Sequence, residues 1–331
     1  MSTVHPIETR DVAEALYKAA SAAGHAPSIH NTQPWRWRIV GASMDLFAEH
    51  SRMLDVTDPD GRLATLSCGA ALHHARIALA AHGWRATVSR LSDSADPDHL
   101  ASLTVDGPAP IGPDTERRAQ NIRLRHTERR PVTGSPLGPD EVSAIVEAAE
   151  SQGARLHVLR PEQIFDLAAA TSQAQGVESA ETQWQQELAR WTGAGRGPGT
   201  GVPDQVIPQV MPETTVPGRD FGRRGDLPAA NGHDRPAVFA VLYGPGDGPI
   251  DWLRAGEALS ALWLVAVELD VSVLPLSAPI EVAVAREGVR RLLSDLGQPY
   301  LALRLGHRIA DDDLARTPRL PVDQIIEHTH G

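Results

Sequence analysis

Lysine is almost absent from this chain of 331 residues: Lys18 stands alone, and the other thirty of its 31 basic residues are arginine. A phosphate loop of the Gly-Lys-Ser/Thr kind needs a lysine after its glycines, and Schiff-base or pyridoxal-phosphate chemistry needs one in a pocket. Lys18 lies in an alanine-rich amphipathic stretch, so both classes fall away. Cysteine is as scarce. Cys68 is the only one, which excludes an internal disulfide and a thiolate zinc site and predicts a reducing compartment. Positive charge is in deficit, 31 basic against 42 acidic residues for a net charge of −11, which argues against sequence-independent nucleic-acid binding through a broad basic face. The longest apolar run, 259–276, is interrupted by Glu268 and Asp270 and is too broken for a membrane span. The first 23 residues hold no signal-peptide apolar core. The expectation is a cytoplasmic protein with neither a membrane nor a nucleic-acid partner.

What is present is material for about two domains. Apolar residues at Val12, Ala15, Leu16, Ala19, Ala20 and Ala23 mark one face of a helix that Gly24 and Pro27 end. The alternation Trp35-Arg36-Trp37-Arg38-Ile39-Val40, a turn at Gly41 and a second alternation at 44–48 predict a hairpin. A long helix over 63–82 and strands over 86–91 and 100–105 follow. Beyond a proline-flanked linker at 108–113 the pattern predicts helices at 116–126, 139–152 and 162–191, with a strand at 155–159. Strands at 237–243 and 300–305, helices at 251–269 and 280–296, and a short terminal helix at 322–327 complete the reading. Between them, residues 192–236 hold seven prolines and nine glycines and read as one long loop, the kind that serves as a lid or a binding loop. A shift of 187 residues lays Gly69-Ala-Ala-Leu72 over Gly256-Glu-Ala-Leu259 with the same helix, turn and strand succession, which reads as a degenerate tandem duplication.

Three segments concentrate hydrogen-bonding groups. Ala26-Pro-Ser-Ile-His-Asn-Thr-Gln-Pro-Trp35 carries more polar side chains than a connecting turn needs, although an Asn/Pro turn before an aromatic strand is the bland alternative. Arg123-Leu-Arg-His-Thr-Glu-Arg-Arg-Pro131 has four arginines in eight positions. It reads either as a phosphate site, for which guanidinium forks and a threonine hydroxyl suit, or as a solvated basic face. Thr317-Pro-Arg-Leu-Pro321 holds Arg319 between two prolines. No Gly-x-Gly-x-x-Gly opens a helix after a strand, so a Rossmann nicotinamide domain is not expected. The adjacent His73 and His74 point to different helix faces, a poor metal pair, and no metal site is expected.

Together these segments resemble the FMN-dependent nitroreductase superfamily, and within it the Acg-type branch, in which two nitroreductase-like halves are fused in one chain. The resemblance spans about residues 10–328 and rests on the Pro-Ser-x-x-Asn-x-Gln-Pro-Trp loop at 27–35, on Arg125-His126-Thr127 with Arg129 beyond it, and on Arg319 before a proline near the end. It implies an α+β nitroreductase-like fold of mixed, mainly antiparallel sheets packed by helices, arranged as an intramolecular pseudo-dimer. The halves would be 1–112, degenerate, and 113–331, with the lid insertion at 192–236. The resemblance implies one FMN per chain, with Arg125, Thr127 and Arg319 on the phosphate and Pro27, Ser28, His30 and Asn31 reaching the cofactor from the other half. Arg129 would lie at the ring's N1/C2 edge and Leu276, Ser277 and Ala278 along its N5 side, while His30, His126 and Trp35 would position rather than titrate. NAD(P)H would be a transient reductant and a nitro or quinone compound the small-molecule acceptor, in ping-pong order. The alternative is a protein that sequesters or stores FMN with little or no turnover. The chain would be a monomeric pseudo-dimer or a homodimer.

Overall fold

A computed structural model describes residues 9–91, 93, 95–228, 233–308 and 315–327. Helix α1 (Thr9–Ala23) buries Val12, Ala15, Leu16, Ala19, Ala20 and Ala23, the face given by their spacing. Strands β1 (Trp35–Val40) and β2 (Ser43–Ala48) pair antiparallel across a two-residue turn in which Gly41 takes a φ of 59°. Helix α2 (Arg62–Ala81), β3 (Trp84–Arg90) and β4 (His99–Pro108) complete the first run of elements.

Helices α3 (Pro113–Leu124), α4 (Pro139–Glu150) and α5 (Pro161–Ala180) each begin with a proline, whose missing N–H costs nothing in the first turn. Strand β5 (Arg155–Val158) separates the last two. The pattern over 162–191 predicts one helix, but the chain breaks at Glu181, which is extended, and α6 (Thr182–Arg190) starts anew. The break turns α6 so that its Glu187 carboxylate accepts bonds from Val56 N, Thr57 N and Thr57 Oγ1 at 2.8–3.0 Å. No proline or glycine at 181 announces it. Then come β6 (Val238–Gly244), α7 (Pro249–Glu268) and β7 (Val271–Leu276). The helix expected at 280–296 is two, α8 (Ala278–Glu281) and α9 (Ala283–Leu292), divided by the extended Val282. After β8 (Gln298–His307), the helix expected at 322–327 is a single 3-10 turn leading into β9 (Ile326–Glu327), which lies parallel to β1 with Trp37 opposite Ile326. The exposed edge of β1 gains its partner from nearly 300 residues away, beyond the reach of local periodicity.

The strands form two sheets, ordered β3-β4-β2-β1-β9 and β5-β6-β8-β7. Read from the other edge, the second sheet runs β7-β8-β6-β5, the same succession as the first four strands of its counterpart. The 187-residue shift carries α2 onto α7 end to end, twenty residues on twenty. These two helices cross in direct contact. A Cβ on Gly69 would lie 2.0 Å from Leu253 O and one on Gly256 1.8 Å from Leu66 O, while His73 Nδ1 meets Ser260 Oγ at 2.8 Å. Each contact has its mirror under the shift, as a two-fold related pair requires. One core lies on each sheet, and a small third one (Val202, Val206, Ile207, Phe221) lies inside the long loop. No described helix is long and apolar enough to cross a membrane.

Candidate functional site

The loop after α1 makes one 3-10 turn at Ile29–Asn31. His30, Asn31 and Gln33 take φ of 43°, 55° and 54°, a left-handed backbone that costs side-chain-bearing residues of order 1–3 kcal/mol each. The polar side chains of the segment supply the restraint. Ser28 Oγ accepts from Gln33 N at 3.0 Å, Ser67 Oγ on α2 accepts from Ile29 N at 3.1 Å, and Asn31 Nδ2 donates to Gly201 O and Pro318 O at 3.0 and 2.9 Å. Gln33 Nε2 donates to Gly199 O at 2.8 Å while its Oε1 accepts from Leu320 N at 3.0 Å. The loop is thus tied to the 199–201 turn and to the segment around Arg319. Asn31 Oδ1 in turn accepts from Arg319 Nη1 at 2.6 Å.

The arginine segment leaves α3 as extended chain beside β7, where Thr127 bridges Val273. Alternation sorts its side chains. Arg125, Thr127 and Arg129 face a cavity, whereas Glu128 and Arg130 are buried on the other side, paired at 2.8 Å. Arg304 of β8 donates to Glu128 O and Arg130 O at 2.9 and 2.6 Å and to Asp234 Oδ2 at 2.8 Å, which locks the segment's backbone. The sequence reading missed Arg304, which also lines the cavity. Its signal was an arginine inside an otherwise apolar strand. Asp234, its partner, lies in the loop and carries no local signal.

The cavity holds about 1310 Å³ of space, part of it open to solvent. Eleven of the twelve residues expected at a site line it: Pro27, Ser28, His30, Asn31, Arg125, Thr127, Arg129, Leu276, Ser277, Ala278 and Arg319. His126 does not; it faces an adjoining recess. Leu66, Leu259, Trp263, Leu274 and Leu301 give the cavity an apolar wall, and the loop contributes Met211 and Phe221 among others. Arg223 of the same loop pairs with Asp204 at 2.8 Å.

One end of the cavity is cationic. Arg125 lies with its guanidinium carbon 4.6 Å from the Trp263 ring centre and donates one bond, to His25 O at 3.3 Å; Arg129 rests 5.6 Å from the Phe221 ring centre. The Nε atoms of Arg125 and Arg319 are buried without a partner. Burial, and then the charges of Arg319 and Arg316, hold Arg125 well below its ordinary pKa, and burial brings Arg129 and Arg319 down to about 10. His25 is lowered to about 4 by burial and the surrounding arginines, and His30 well below its usual range by burial, Arg219 and Arg129. Both imidazoles are neutral at pH 7. The arrangement can bind a phosphate-like anion at one end and a flat apolar body along the wall. Among the described residues no cluster could hold a metal ion.

No protein-family model matches the chain. It is 36% identical over 324 residues to a Mycobacterium tuberculosis protein provisionally named NAD(P)H nitroreductase Rv3131, covering 95% of this chain and 92% of that one. It is 32% identical over 324 residues to the protein provisionally named NAD(P)H nitroreductase acg of the same organism, covering 96% and 97%. Among solved structures, an FMN-bound nitroreductase from Desulfitobacterium hafniense overlaps 65% of this chain and 98% of its own, at 14% identity and a TM-score of 0.40.

Proposed function

The chain belongs to the Acg-type branch of the nitroreductase superfamily, and from that premise we propose that it is an FMN-binding, NAD(P)H-dependent oxidoreductase. The observation that carries this reading is the convergence of three segments distant in sequence on one cavity with a cationic end and an apolar wall. The residues fit the cofactor: two buried, partnerless guanidinium Nε atoms suit a phosphate, and the wall from Leu66 to Trp263 suits an isoalloxazine ring.

Arg125, Thr127 and Arg319 hold the 5′-phosphate, and Asn31 acts through Arg319 by fixing its guanidinium at 2.6 Å. Pro27, Ser28 and His30 bring the loop of the first half, 1–112, against residues of the second, 113–331, so one complete site forms per chain. Arg129, which lines the same cavity, would supply a cation to the ring, where positive charge at the pyrimidine edge raises the potential of a flavin. Ser277 and Ala278 open α8, where backbone N–H groups lack helical partners and can orient the N5 side. When bound, FMN supplies a hydride acceptor and donor at N5. The apolar wall would exclude water, and the one cavity would admit NAD(P)H and then a nitro or quinone acceptor in a ping-pong order. Loop 192–236 limits which acceptors enter. That so much of the cavity lining comes from this loop favours, as a second reading, a protein that holds FMN and turns over little.

The test is to reconstitute the purified chain with FMN, count bound flavin, and add NADPH or NADH without oxygen. One FMN per chain that bleaches and is reoxidised by a nitroaromatic or quinone supports the reductase. A yellow protein that stays yellow assigns storage, and a chain that takes up no FMN defeats the assignment.

A further inference from the structure

At its cationic end the cavity adjoins a second recess of about 770 Å³, part of it open to solvent, with which it shares Arg125, Thr127, Arg129 and Arg319. The recess adds Arg123, Arg316, His25 and His126, and none of its lining residues is a carboxylate. Five arginines therefore border one space in a chain whose net charge is −11. Among the described residues no carboxylate pairs with any of the five.

One phosphate monoester carries roughly two negative charges. Arg125 and Arg319 suffice for it, and Arg129 is assigned to the ring edge. Arg123 and Arg316 are left over. The C-terminal end of α3 accounts for part of this: Arg316 Nη1 donates to Arg123 O there, and a cation at a helix C-terminus is favourable. That role needs one cation, however, and the rest of the Arg316 fork and all of Arg123 remain. Burial of Arg125 among like charges, with Nε partnerless, raises the demand for negative charge further.

We infer that the recess is a second anion subsite that takes a phosphate or pyrophosphate group beside the first, as a dinucleotide would present. The inference rests on the FMN reading, because it counts that phosphate as already held. Two sources share this chemistry, a flavin dinucleotide occupying the site in place of FMN and the pyrophosphate of a nicotinamide dinucleotide.

The probe is inorganic pyrophosphate titrated into the FMN-loaded chain by calorimetry, with Arg123→Gln/Arg316→Gln as the variant, both side chains being exposed and outside the phosphate set. Saturable one-to-one binding, weakened about tenfold or more in the variant while FMN affinity is unchanged, is the expected result. Two further arms separate the sources. FAD binding more tightly than FMN, with that preference lost in the variant, assigns the flavin dinucleotide. A KM for NAD(P)H raised in the variant, with FAD no better than FMN, assigns the nicotinamide one. A loaded chain that binds no pyrophosphate, or binds it equally well in the variant, overturns the inference alone. A chain that takes up no FMN overturns the functional reading and this one together.

Discussion

Arg125 carries charge where its surroundings oppose it. Only 7% of it is exposed, its guanidinium faces Trp263 instead of water, and the nearest charges that act on it, Arg319 and Arg316, have the same sign. A buried cation without a partner is costly, and a bound phosphate removes the cost. Arg125→Ala and Arg319→Ala are each expected to weaken FMN binding by ~1.5–3 kcal/mol, the range for a hydrogen bond to a charged group. Fluorescence titration of the flavin reads the change, and unchanged affinity in both variants removes the anchor assignment. Asp58 poses the opposite problem. Buried beneath the start of α2, it accepts from Ala64 N at 2.9 Å, yet burial pushes its carboxyl up to about 7 from 3.8. The folded chain thus binds a proton that the unfolded chain has released between those values, so this group's contribution to stability falls as pH rises from about 4 to about 7 and is level above. Asp58→Asn keeps an acceptor and loses the titration. Its chemical-denaturation stability should fall less than the parent's over that interval; parallel pH profiles would refute the assignment.

At the scale of elements, the long loop is held at the wall of the cavity, which Arg219 lines. Arg219 sits between Glu178 of α5, at 3.1 Å, and Glu281 of α8, to which it also bonds. Burial raises the Glu178 carboxyl to about 7 even beside this arginine. Arg219→Ala leaves two buried carboxylates without their cation, and loss of one partner from such a cluster costs ~3–5 kcal/mol. The expected outcome is a destabilised loop from which FMN dissociates faster in stopped-flow release; an unchanged release rate would mean that the loop does not retain the cofactor. The contrast between this loop and the motif loop explains what was legible in the sequence. Residues 27–35 announce themselves because the polar side chains that restrain their left-handed backbone are in the segment itself. Arg125, Thr127 and Arg129 were legible through the family resemblance, since arginine spacing alone also fits a solvated face; strand alternation in the structure then separates them from Glu128 and Arg130. Arg304 and Asp234 were not legible as a pair: Arg304 stands out in an apolar strand, but 70 residues separate it from Asp234, which carries no local signal. The break at Glu181 and the pairing of β9 with β1 escape for the same reason, since each goes with a contact distant in sequence.

At the scale of the molecule, the candidate site depends on how the two sheets are joined, and the join is α2 on α7. Gly69 and Gly256 let the backbones touch, with neighbours at 2.0 and 1.8 Å from where a Cβ would stand. In both positions the obstructing atom is a backbone carbonyl oxygen, which cannot swing aside as a side chain would. Gly256→Ala must therefore part the helices. Overpacking of this kind costs ~1–3 kcal/mol, and more where backbone has to move. The helices also carry the walls of the cavity, Leu66 and Ser67 on α2 and Leu259 and Trp263 on α7, so the same displacement should weaken FMN binding. Gly176 provides the control. It lies within α5, nothing stands within 4 Å of its absent Cβ, and it lines neither space. Gly176→Ala should stabilise the chain by ~0.5–1 kcal/mol through helix propensity and leave flavin affinity alone. Thermal melts and FMN titrations on the two variants then give a paired result. If Gly256→Ala behaves like Gly176→Ala, the close helix crossing neither sets the stability of the molecule nor holds the two sides of its site in register.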